Sequence, residues 1–375
     1  MRLCLVTGAF PPQRCGIGDY TECLGRHLAG MGVEVHVVTS VHRSGEGHAT
    51  LKLHRIIRRW NFIGAMRLLL ALRKIKPDVV HLQFPSVRYG RVASLSLMPG
   101  ILRALRYKVV LTLHEYTIAQ RLNRARQLAM ATAATEVITT NLQDCTALRR
   151  RLFWKPGRIH RINIASNIEV PPAGSFDRNT RRGLIGAQAD SSVICFFGNL
   201  HPGKGLDDLV EAFGIVNSEI PDTRLLIIGT FSPADTLYSC MLRRKIVEAG
   251  LLDKIHITGF VTRRQVSEFL LASDICVLPF PDGLSVRRGS FFAAVHHGLP
   301  VITTSPQFPL PESMIDGENI VLVTPRNIQQ LAESIQTLAR SPEIRSRMKQ
   351  NLVVLDRRFA WPEIARRTLE VYNST

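Results

Sequence analysis

Short apolar runs alternate along the whole chain with longer stretches in which apolar residues recur every three or four positions. Such runs are typical of buried parallel strands, and such spacing is typical of amphipathic helices. In the first half, the strands are expected at 3–6, 33–39, 78–84, 109–114 and 136–140. In the second half, they are expected from 192 and at 225–229, 255–259, 275–278 and 301–304. This alternation predicts an α/β chain of two Rossmann-like, doubly wound domains.

The chain of 375 residues is long enough for two domains, each with its own core. Residues 166–190 lose the periodicity and are rich in Pro and Gly, so we interpret them as a linker and lead-in helix. This segment separates a domain at 1–165 from a domain at 191–355. A last helix within 356–375 is expected to cross back to the first domain.

The net charge of +18 lies entirely in the first half. Residues 1–165 hold 26 Lys and Arg against 8 Asp and Glu, whereas the rest of the chain holds 22 of each. Basic and apolar residues mix at 51–76, 101–108, 121–130 and 148–155, with Trp and Phe among them. Such a surface fits an anionic membrane. A solvated basic surface stays open, and nucleic acid is disfavoured because no binding motif accompanies the charge.

No apolar run reaches the length of a membrane span, and the chain opens on a strand rather than a signal segment. We therefore expect a cytoplasmic protein, with peripheral attachment to the inner membrane face left open. Seven cysteines without a Cys-x-x-Cys pair indicate reduced thiols rather than a zinc site. The chain also has no Asp-x-Asp motif that would hold a metal ion.

Candidate anion-binding groups lie at predicted strand ends, where open α/β sheets hold their ligands. Gly16 and Gly18 follow the first strand, in a loop that lacks the dinucleotide pattern. Lys204 follows the strand that reaches Gly198, at a helix start. His114 ends a first-half strand, which makes it a candidate for substrate binding.

A second basic loop is Arg287-Arg288-Gly289-Ser290, at the start of a helix that Gly298 is expected to end. Two guanidinium groups beside helix N–H groups favour a phosphate. The alternative is that paired arginines merely solvate a surface loop. The later pair His296 and His297 lies near the helix end and is interpreted as structural.

Taken together, these motifs resemble the GT-B glycosyltransferases of the large retaining family 4, over nearly the whole chain. The resemblance is carried by the glycine loop, His114, the run from Gly198 to Gly205, the Gly298-Leu299-Pro300-Val301 turn and the final helix near Trp361. It implies that a nucleotide sugar binds mainly to the second domain and the acceptor to the first, with chemistry in the cleft between them. No metal or cofactor is implied. Lys204 would contact the diphosphate, Gly16 and Gly18 would close over it, and His114 would bind the donor sugar.

The chain departs from the family pattern in the donor site. The family's arginine after the first glycine of the lysine loop is Asn199, and its two glutamates fall on Ser285 and Ala293. We call Arg287-Arg288-Gly289-Ser290 the arginine loop, and we hypothesise that it compensates by forming a phosphate cradle together with Ser285. The predicted catalytic residues are His114, Lys204, Arg287 and Arg288. The predicted donor-binding residues are Gly16, Gly18, Gly198, Asn199, Lys204, Ser285, Arg287, Arg288, Gly289 and Ser290.

Two functions follow from this resemblance. The first is a metal-independent hexosyltransferase that moves a sugar from a nucleoside diphosphate sugar to an acceptor hydroxyl, with retention. Its acceptor would be a lipid-linked or cell-surface glycan precursor, as in polysaccharide biosynthesis. The alternative is a non-catalytic GT-B protein that binds a sugar nucleotide or a membrane as an assembly partner, because the two glutamates are missing.

Overall fold

The computed structural model describes residues 1–42, 48–86, 89, 93–172, 174–231 and 235–374. It divides into two compact units. The first unit comprises Met1–Asn167 together with Phe359–Thr375, and the second comprises Ile168–Arg358. Each unit is an α/β domain around one parallel sheet, so the predicted fold class is confirmed.

The described part of the first unit forms a sheet of seven parallel strands in the order β3-β2-β1-β4-β5-β6-β7. The strands are β1 (Arg2–Val6), β2 (Glu34–Ser40), β3 (Lys52–Ile57), β4 (Val79–Phe84), β5 (Lys108–Leu113), β6 (Glu136–Thr139) and β7 (Ile159–Arg161). Its helices are α1 (Gly16–Gly30), α2 (Phe62–Ile75), α3 (Ala93–Ala104), α4 (Arg121–Ala133), α5 (Leu142–Arg151) and the chain-terminal α13 (Trp361–Asn373).

The two faces of this sheet bury separate apolar cores. Side chains of α2 to α5 pack on one face, around residues such as Leu68 and Met98. Helices α1 and α13 cover the other face, where Leu24 and Ile364 are buried. The indole N–H of Trp361 donates to the carbonyl of Ser166 at 2.6 Å, which fastens the start of α13.

The described part of the second unit forms a sheet of six parallel strands in the order β10-β9-β8-β11-β12-β13. The strands are β8 (Ser192–Phe197), β9 (Thr223–Ile228), β10 (Ile255–Ile257), β11 (Ile275–Leu278), β12 (Val301–Thr304) and β13 (Ile320–Val323). Its helices are α6 (Arg178–Gly183), α7 (Leu206–Glu219), α8 (Thr236–Glu248), α9 (Arg263–Ala272), α10 (Gly289–His296), α11 (Ile328–Arg340) and α12 (Pro342–Arg358).

The sequence pattern did not predict three of the strands, and all three lie at sheet edges. These are β3, β7 and β13. In β3, basic and apolar residues are mixed, and the central residues are only half-buried. An edge strand needs less apolar burial than a central one, so its pattern resembles that of an exposed basic segment.

Trp60 is the aromatic residue whose predicted exposure is wrong. The basic stretch 51–76 suggested that it edges a surface, but Trp60 is buried and donates from its indole nitrogen to Ser40 Oγ at 2.9 Å. Phe153 and Trp154, by contrast, are well exposed.

Candidate functional site

The strand order of the second sheet reverses between β8 and β11, which pair directly. In open α/β sheets, ligands bind outside the carboxyl ends of the strands at such a switch point. The loop 198–205 follows β8, and the loop 279–288 follows β11. Both sequence-predicted anion loops therefore lie at the switch point of this sheet.

A close backbone contact joins these two loops. Gly205 has φ +71°, and a Cβ atom built on it would lie 1.9 Å from the carbonyl oxygen of Pro279. No side chain fits there without moving the backbone. Lys204 ends the short 3-10 turn Pro202–Lys204 directly before this glycine. The contact thus sets the place of Lys204 beside the β11 loop.

Two cationic groups lie close to the buried ring of Phe280. Nζ of Lys204 lies 5.4 Å from the ring centre, and the guanidinium carbon of Arg288 lies 4.3 Å from it. Burial, and secondarily the charge of Arg288, lowers the pKa of Lys204 to about 8. Two cations held this close repel each other in a poorly solvated place, so a bound anion would stabilise both.

Asp282 places one negative charge next to these two cations. The Arg288 Nη2 atom donates to both carboxylate oxygens of Asp282 at 2.5 Å. Because Asp282 is largely exposed while Arg288 is not, a phosphate can compete with it for the guanidinium. Neither Asp282 nor Phe280 is among the predicted site residues, although both lie in the loop that follows β11. Their signal in the sequence is the segment Pro-Phe-Pro-Asp-Gly at 279–283, which ends the apolar run of β11 shortly before the paired arginines.

The remaining residues of the predicted cradle surround the start of α10. Arg287 Nε lies 3.4 Å from Ser285 Oγ. Helix α10 begins at Gly289, and no side chain caps it among the described residues. Its first-turn N–H groups therefore add a donor surface next to Arg288. Asn199 is exposed in the neighbouring loop.

Ala293, at the position where the resemblance implies the second glutamate, is buried inside α10. The nearby histidines have structural partners. His297 Nε2 lies 2.6 Å from Ser267 Oγ, and His296 Nδ1 lies 2.9 Å from a carboxylate oxygen of Asp356.

In the first unit, His114 directly follows β5 and is buried. Its Nε2 atom donates to the amide oxygen of Gln83 at 2.9 Å, and the ring of Tyr20 meets it edge-on at 5.0 Å. Burial lowers the pKa of His114 to about 4, so the ring is neutral at pH 7. Gln83 was not predicted. Its signal is that Gln83 and His81 are the two polar residues of a buried strand whose other members are apolar.

Gly16 and Gly18 differ in how closely other atoms approach them. Both lie in the first turn of α1 rather than in the loop before it. A Cβ on Gly18 would lie 2.7 Å from the carbonyl oxygen of Ala9, whereas a Cβ on Gly16 would meet nothing within 4 Å. Gly18 is therefore needed for close packing, and Gly16 leaves open space above the helix start.

An exposed apolar surface runs along α2 and α3, and we call it the apolar face. Its members recur at every fourth position and are 40–73% exposed. They are Phe62, Met66 and Leu70 on α2, and Leu97, Ile101 and Leu105 on and just after α3. The two helices are neighbours. Exposed Arg58, Arg59, Arg67, Arg103 and Arg106 surround this face in sequence.

Within the described ranges, helices that combine the length and apolarity of a bilayer span are not found. The same residues contain no cluster of three or more His, Cys, Asp or Glu side chains arranged to hold a metal ion.

Family models match both units. The model described as Glycosyltransferase Family 4 matches residues 15–165. The model described as Glycosyl transferases group 1 matches residues 177–352. These two matches cover both switch-point loops and His114.

Curated relatives are distant but extensive. The chain is 25% identical to a GDP-mannose-dependent monoacylated alpha-(1-6)-phosphatidylinositol monomannoside mannosyltransferase of Corynebacterium glutamicum, over 92% of this chain and 90% of that one. It is 27% identical to a D-inositol 3-phosphate glycosyltransferase of the same species, over 64% of this chain. That second match spans 57% of the relative, a little over half its length.

Solved structures share the fold at low identity. HepE from Anabaena, in complex with UDP and glucose, superposes with a TM-score of 0.77 at 17% identity and full coverage of both chains. Sucrose-phosphate synthase from Thermosynechococcus elongatus gives 0.73 at 20% identity, covering 99% of this chain and 98% of that chain.

Proposed function

Because the chain is a glycosyltransferase of the GT-B fold, we propose that it moves a hexose from a nucleoside diphosphate sugar to an acceptor hydroxyl with retention. The observation that carries this proposal is the placement of Lys204 and Arg288 on Phe280, at the switch point of the second sheet. The HepE structures with UDP support a nucleotide-sugar donor.

The cation pair suits a leaving diphosphate. When the bond between the anomeric carbon and the phosphate oxygen breaks, negative charge grows on that oxygen. Lys204, Arg288 and the N–H groups of α10 are fixed before the reaction and stabilise this charge without reorganisation. The acceptor oxygen then bonds to the same face of the anomeric carbon, and its proton passes to the departing phosphate. We propose that these cations make a metal ion unnecessary.

His114 has a complementary role in this proposal. Its neutral ring donates to Gln83 from Nε2, so Nδ1 carries a lone pair. A lone pair accepts a hydrogen bond from a hydroxyl group, and we assign it to a hydroxyl of the donor sugar. Ser285 and Ala293 lack the carboxylates that usually bind the donor, so His114 and the arginine loop carry more of the recognition here.

The acceptor is proposed to be lipid-linked. All of the excess charge belongs to the first unit, which holds 28 Lys and Arg against 10 Asp and Glu, whereas the second holds 20 of each. The apolar face adds exposed side chains of a kind that partition into a bilayer interface. One relative is named for a lipid acceptor, a monoacylated phosphatidylinositol mannoside. We therefore propose peripheral attachment to an anionic membrane on the cytoplasmic side.

The direct test is a thermal-shift titration with UDP, GDP, ADP and dTDP and their sugar conjugates. A ligand at 100 times its Kd stabilises the folded state by about 2.7 kcal/mol. We expect one nucleotide to raise the Tm of the wild type, and Arg287→Ala/Arg288→Ala to abolish the rise. Arg244→Ala is the matched control, because Arg244 is an exposed arginine of the same unit that pairs with Glu248 on α8. No shift with any nucleotide at millimolar concentration would contradict donor binding.

The rate of sugar transfer decides between catalysis and mere binding. The double arginine variant should lose at least about 100-fold in rate, and added EDTA should leave the wild-type rate unchanged. The second candidate function, a non-catalytic sugar-nucleotide-binding partner, is favoured by Ser285 and Ala293, which carry no carboxylate at the positions where the resemblance implies two glutamates. A wild type that binds a donor but transfers to no acceptor and to no water would support that candidate.

A further inference from the structure

A row of four polar side chains interrupts the buried apolar core between the first sheet and the helices α1 and α13. His81 and Gln83 point from β4, and Thr112 and His114 from β5 and its end. None is more than 8% exposed. Buried polar groups without partners cost free energy, so such a row persists only when its members bond to one another.

The row is one chain of hydrogen bonds that starts at the chain-terminal helix. The Tyr372 hydroxyl lies 2.6 Å from His81 Nδ1. His81 Nε2 lies 2.7 Å from Thr112 Oγ1 and 3.3 Å from Gln83 Nε2. The Gln83 amide oxygen then lies 2.9 Å from His114 Nε2.

The side-chain amide of Gln83 decides which ring nitrogens of His81 and His114 carry a proton. Its nitrogen only donates, so His81 Nε2 accepts and His81 carries its proton on Nδ1, which donates to Tyr372. The amide oxygen only accepts, so His114 carries its proton on Nε2. Burial lowers the pKa of His81 to about 3 and that of His114 to about 4, so each ring holds a single proton at pH 7.

Helix α13 reaches His114 by a second route as well. Trp361 lies 5.1 Å from the ring of Tyr20, and Tyr20 meets the His114 ring edge-on at 5.0 Å. The His114 ring is therefore fixed in place by aromatic packing and fixed in protonation by the hydrogen-bond chain. Among the described residues, no group is hydrogen-bonded to its Nδ1 atom.

We propose that Gln83 and Tyr372 are positioning residues that hold His114 as its Nε2–H tautomer and so present Nδ1 as an acceptor to a substrate hydroxyl. The identity of that hydroxyl rests on the proposed function, but the tautomer does not. The chain-terminal helix then acts on the substrate-binding side chain of the first unit through Tyr372.

The tautomer is measured directly by long-range ¹H–¹⁵N NMR on protein labelled with ¹⁵N-histidine, at pH 7 and without substrate. We expect His114 to show the Nε2–H pattern and His81 the Nδ1–H pattern, with assignments from His114→Gln and His81→Gln. An Nδ1–H pattern for His114 in the wild type would overturn the proposal whether or not the protein transfers a sugar.

Variants then connect the tautomer to turnover. Gln83→Leu should mix the tautomers of His114 and lower kcat by about tenfold or more, the direction expected when a histidine loses the partner that orients it. Gln83→Glu keeps an acceptor toward Nε2 and should restore the Nε2–H pattern. Tyr372→Phe should disturb the His81 and His114 signals together.

Gln127→Leu is the matched control. Gln127 is also a buried glutamine of the first unit, but it lies on α4, on the opposite face of the sheet. It should leave the His114 signals and kcat unchanged. An equal effect of Gln83→Leu and Gln127→Leu on kcat, or an unchanged His114 tautomer in Gln83→Leu, would refute the positioning role.

Discussion

Lys204 and Arg288 contact the same aromatic ring, Phe280, although 83 residues separate them in the chain. Lys204 belongs to the loop after β8, and Arg288 to the loop after β11. Each loop by itself is an ordinary basic turn. Together they place two poorly solvated positive charges at the point of the sheet where ligands bind, which gives the following predictions.

Donor binding should take up a proton at alkaline pH. The pKa of Lys204 is lowered to about 8, so in the free protein this amine becomes neutral as the pH rises above 8. A bound diphosphate favours the charged amine and returns the proton. Affinity for the nucleotide should therefore fall between pH 8 and pH 10.

Calorimetry in buffers of different ionisation enthalpy measures this uptake at pH 9. Lys204→Arg is the control, because arginine stays charged throughout this range. The variant should bind without proton uptake. A wild type whose nucleotide affinity stays level from pH 7 to pH 10 would show that Lys204 does not meet the diphosphate.

Gly205→Ala should cost more stability than a comparable change elsewhere. Gly205 and Gly250 both have left-handed backbones, with φ +71° and φ +67°. A Cβ on Gly205 meets the Pro279 carbonyl at 1.9 Å, whereas a Cβ on Gly250 meets nothing within 4 Å. We expect Gly250→Ala to cost about 1 kcal/mol and Gly205→Ala at least about 3 kcal/mol in free energy of unfolding.

Urea denaturation of both variants measures this difference. Gly205→Ala should also weaken nucleotide binding, because its strain moves the β11 loop away from Lys204. Equal losses of stability in the two variants would show that the two loops do not meet at this carbonyl.

Mild acid should destabilise the fold through three buried histidines. Burial lowers the pKa of His81 to about 3, and those of His114 and His297 to about 4. Because the unfolded chain has the ordinary value near 6.5, it binds more protons below pH 6.5. Stability is therefore highest above pH 6.5 and falls with decreasing pH, by about 1.4 kcal/mol per pH unit for each histidine.

The free energy of unfolding between pH 6.5 and pH 5 gives this slope, in a range where ordinary carboxylates titrate little. His297→Gln should lower the absolute stability but also reduce the slope by one histidine's share. A slope that is unchanged in His297→Gln would mean that this ring is not buried as a neutral group.

The apolar face should bind vesicles that contain anionic lipid. Phe62→Ser/Leu97→Ser removes two of its most exposed members and should weaken partitioning at least about tenfold, since each buried large apolar side chain contributes about 2 kcal/mol. Leu237→Ser is the control, because Leu237 is 77% exposed but belongs to the near-neutral second unit.

Vesicle flotation with and without anionic lipid measures this effect. Equal flotation of the double variant and the control would remove the apolar face as the membrane contact. Tight, steeply salt-dependent binding to nucleic acid in place of vesicles would assign the basic charge of the first unit to a different partner.

The alternating pattern was sufficient to predict the α/β fold and the central strands. Strands such as β8 and β11 are buried on both faces, so each is a nearly continuous apolar run that the sequence displays without help from its neighbours. The same reasoning failed at β3, because an edge strand shares its half-exposed, basic pattern with surface segments.

The candidate site was predictable in its parts and not in its connections. His114 directly follows a strand, and Lys204 and Arg288 lie in loops that follow strands. The ends of these strands are visible in the sequence. The contact of Lys204 and Arg288 with Phe280 depends on β8 pairing with β11, a non-local event that no local pattern encodes.

The sequence by itself determined the fold class, the basic first unit and the strand-end positions of the candidate residues, because each depends on nearby residues or on composition. Only the tertiary structure decided which of these residues meet, that Gln83 and Tyr372 connect to His114, and that Trp60 is buried. Those contacts arise from strand order and from a terminal helix that returns to the first sheet. They join residues up to 291 positions apart.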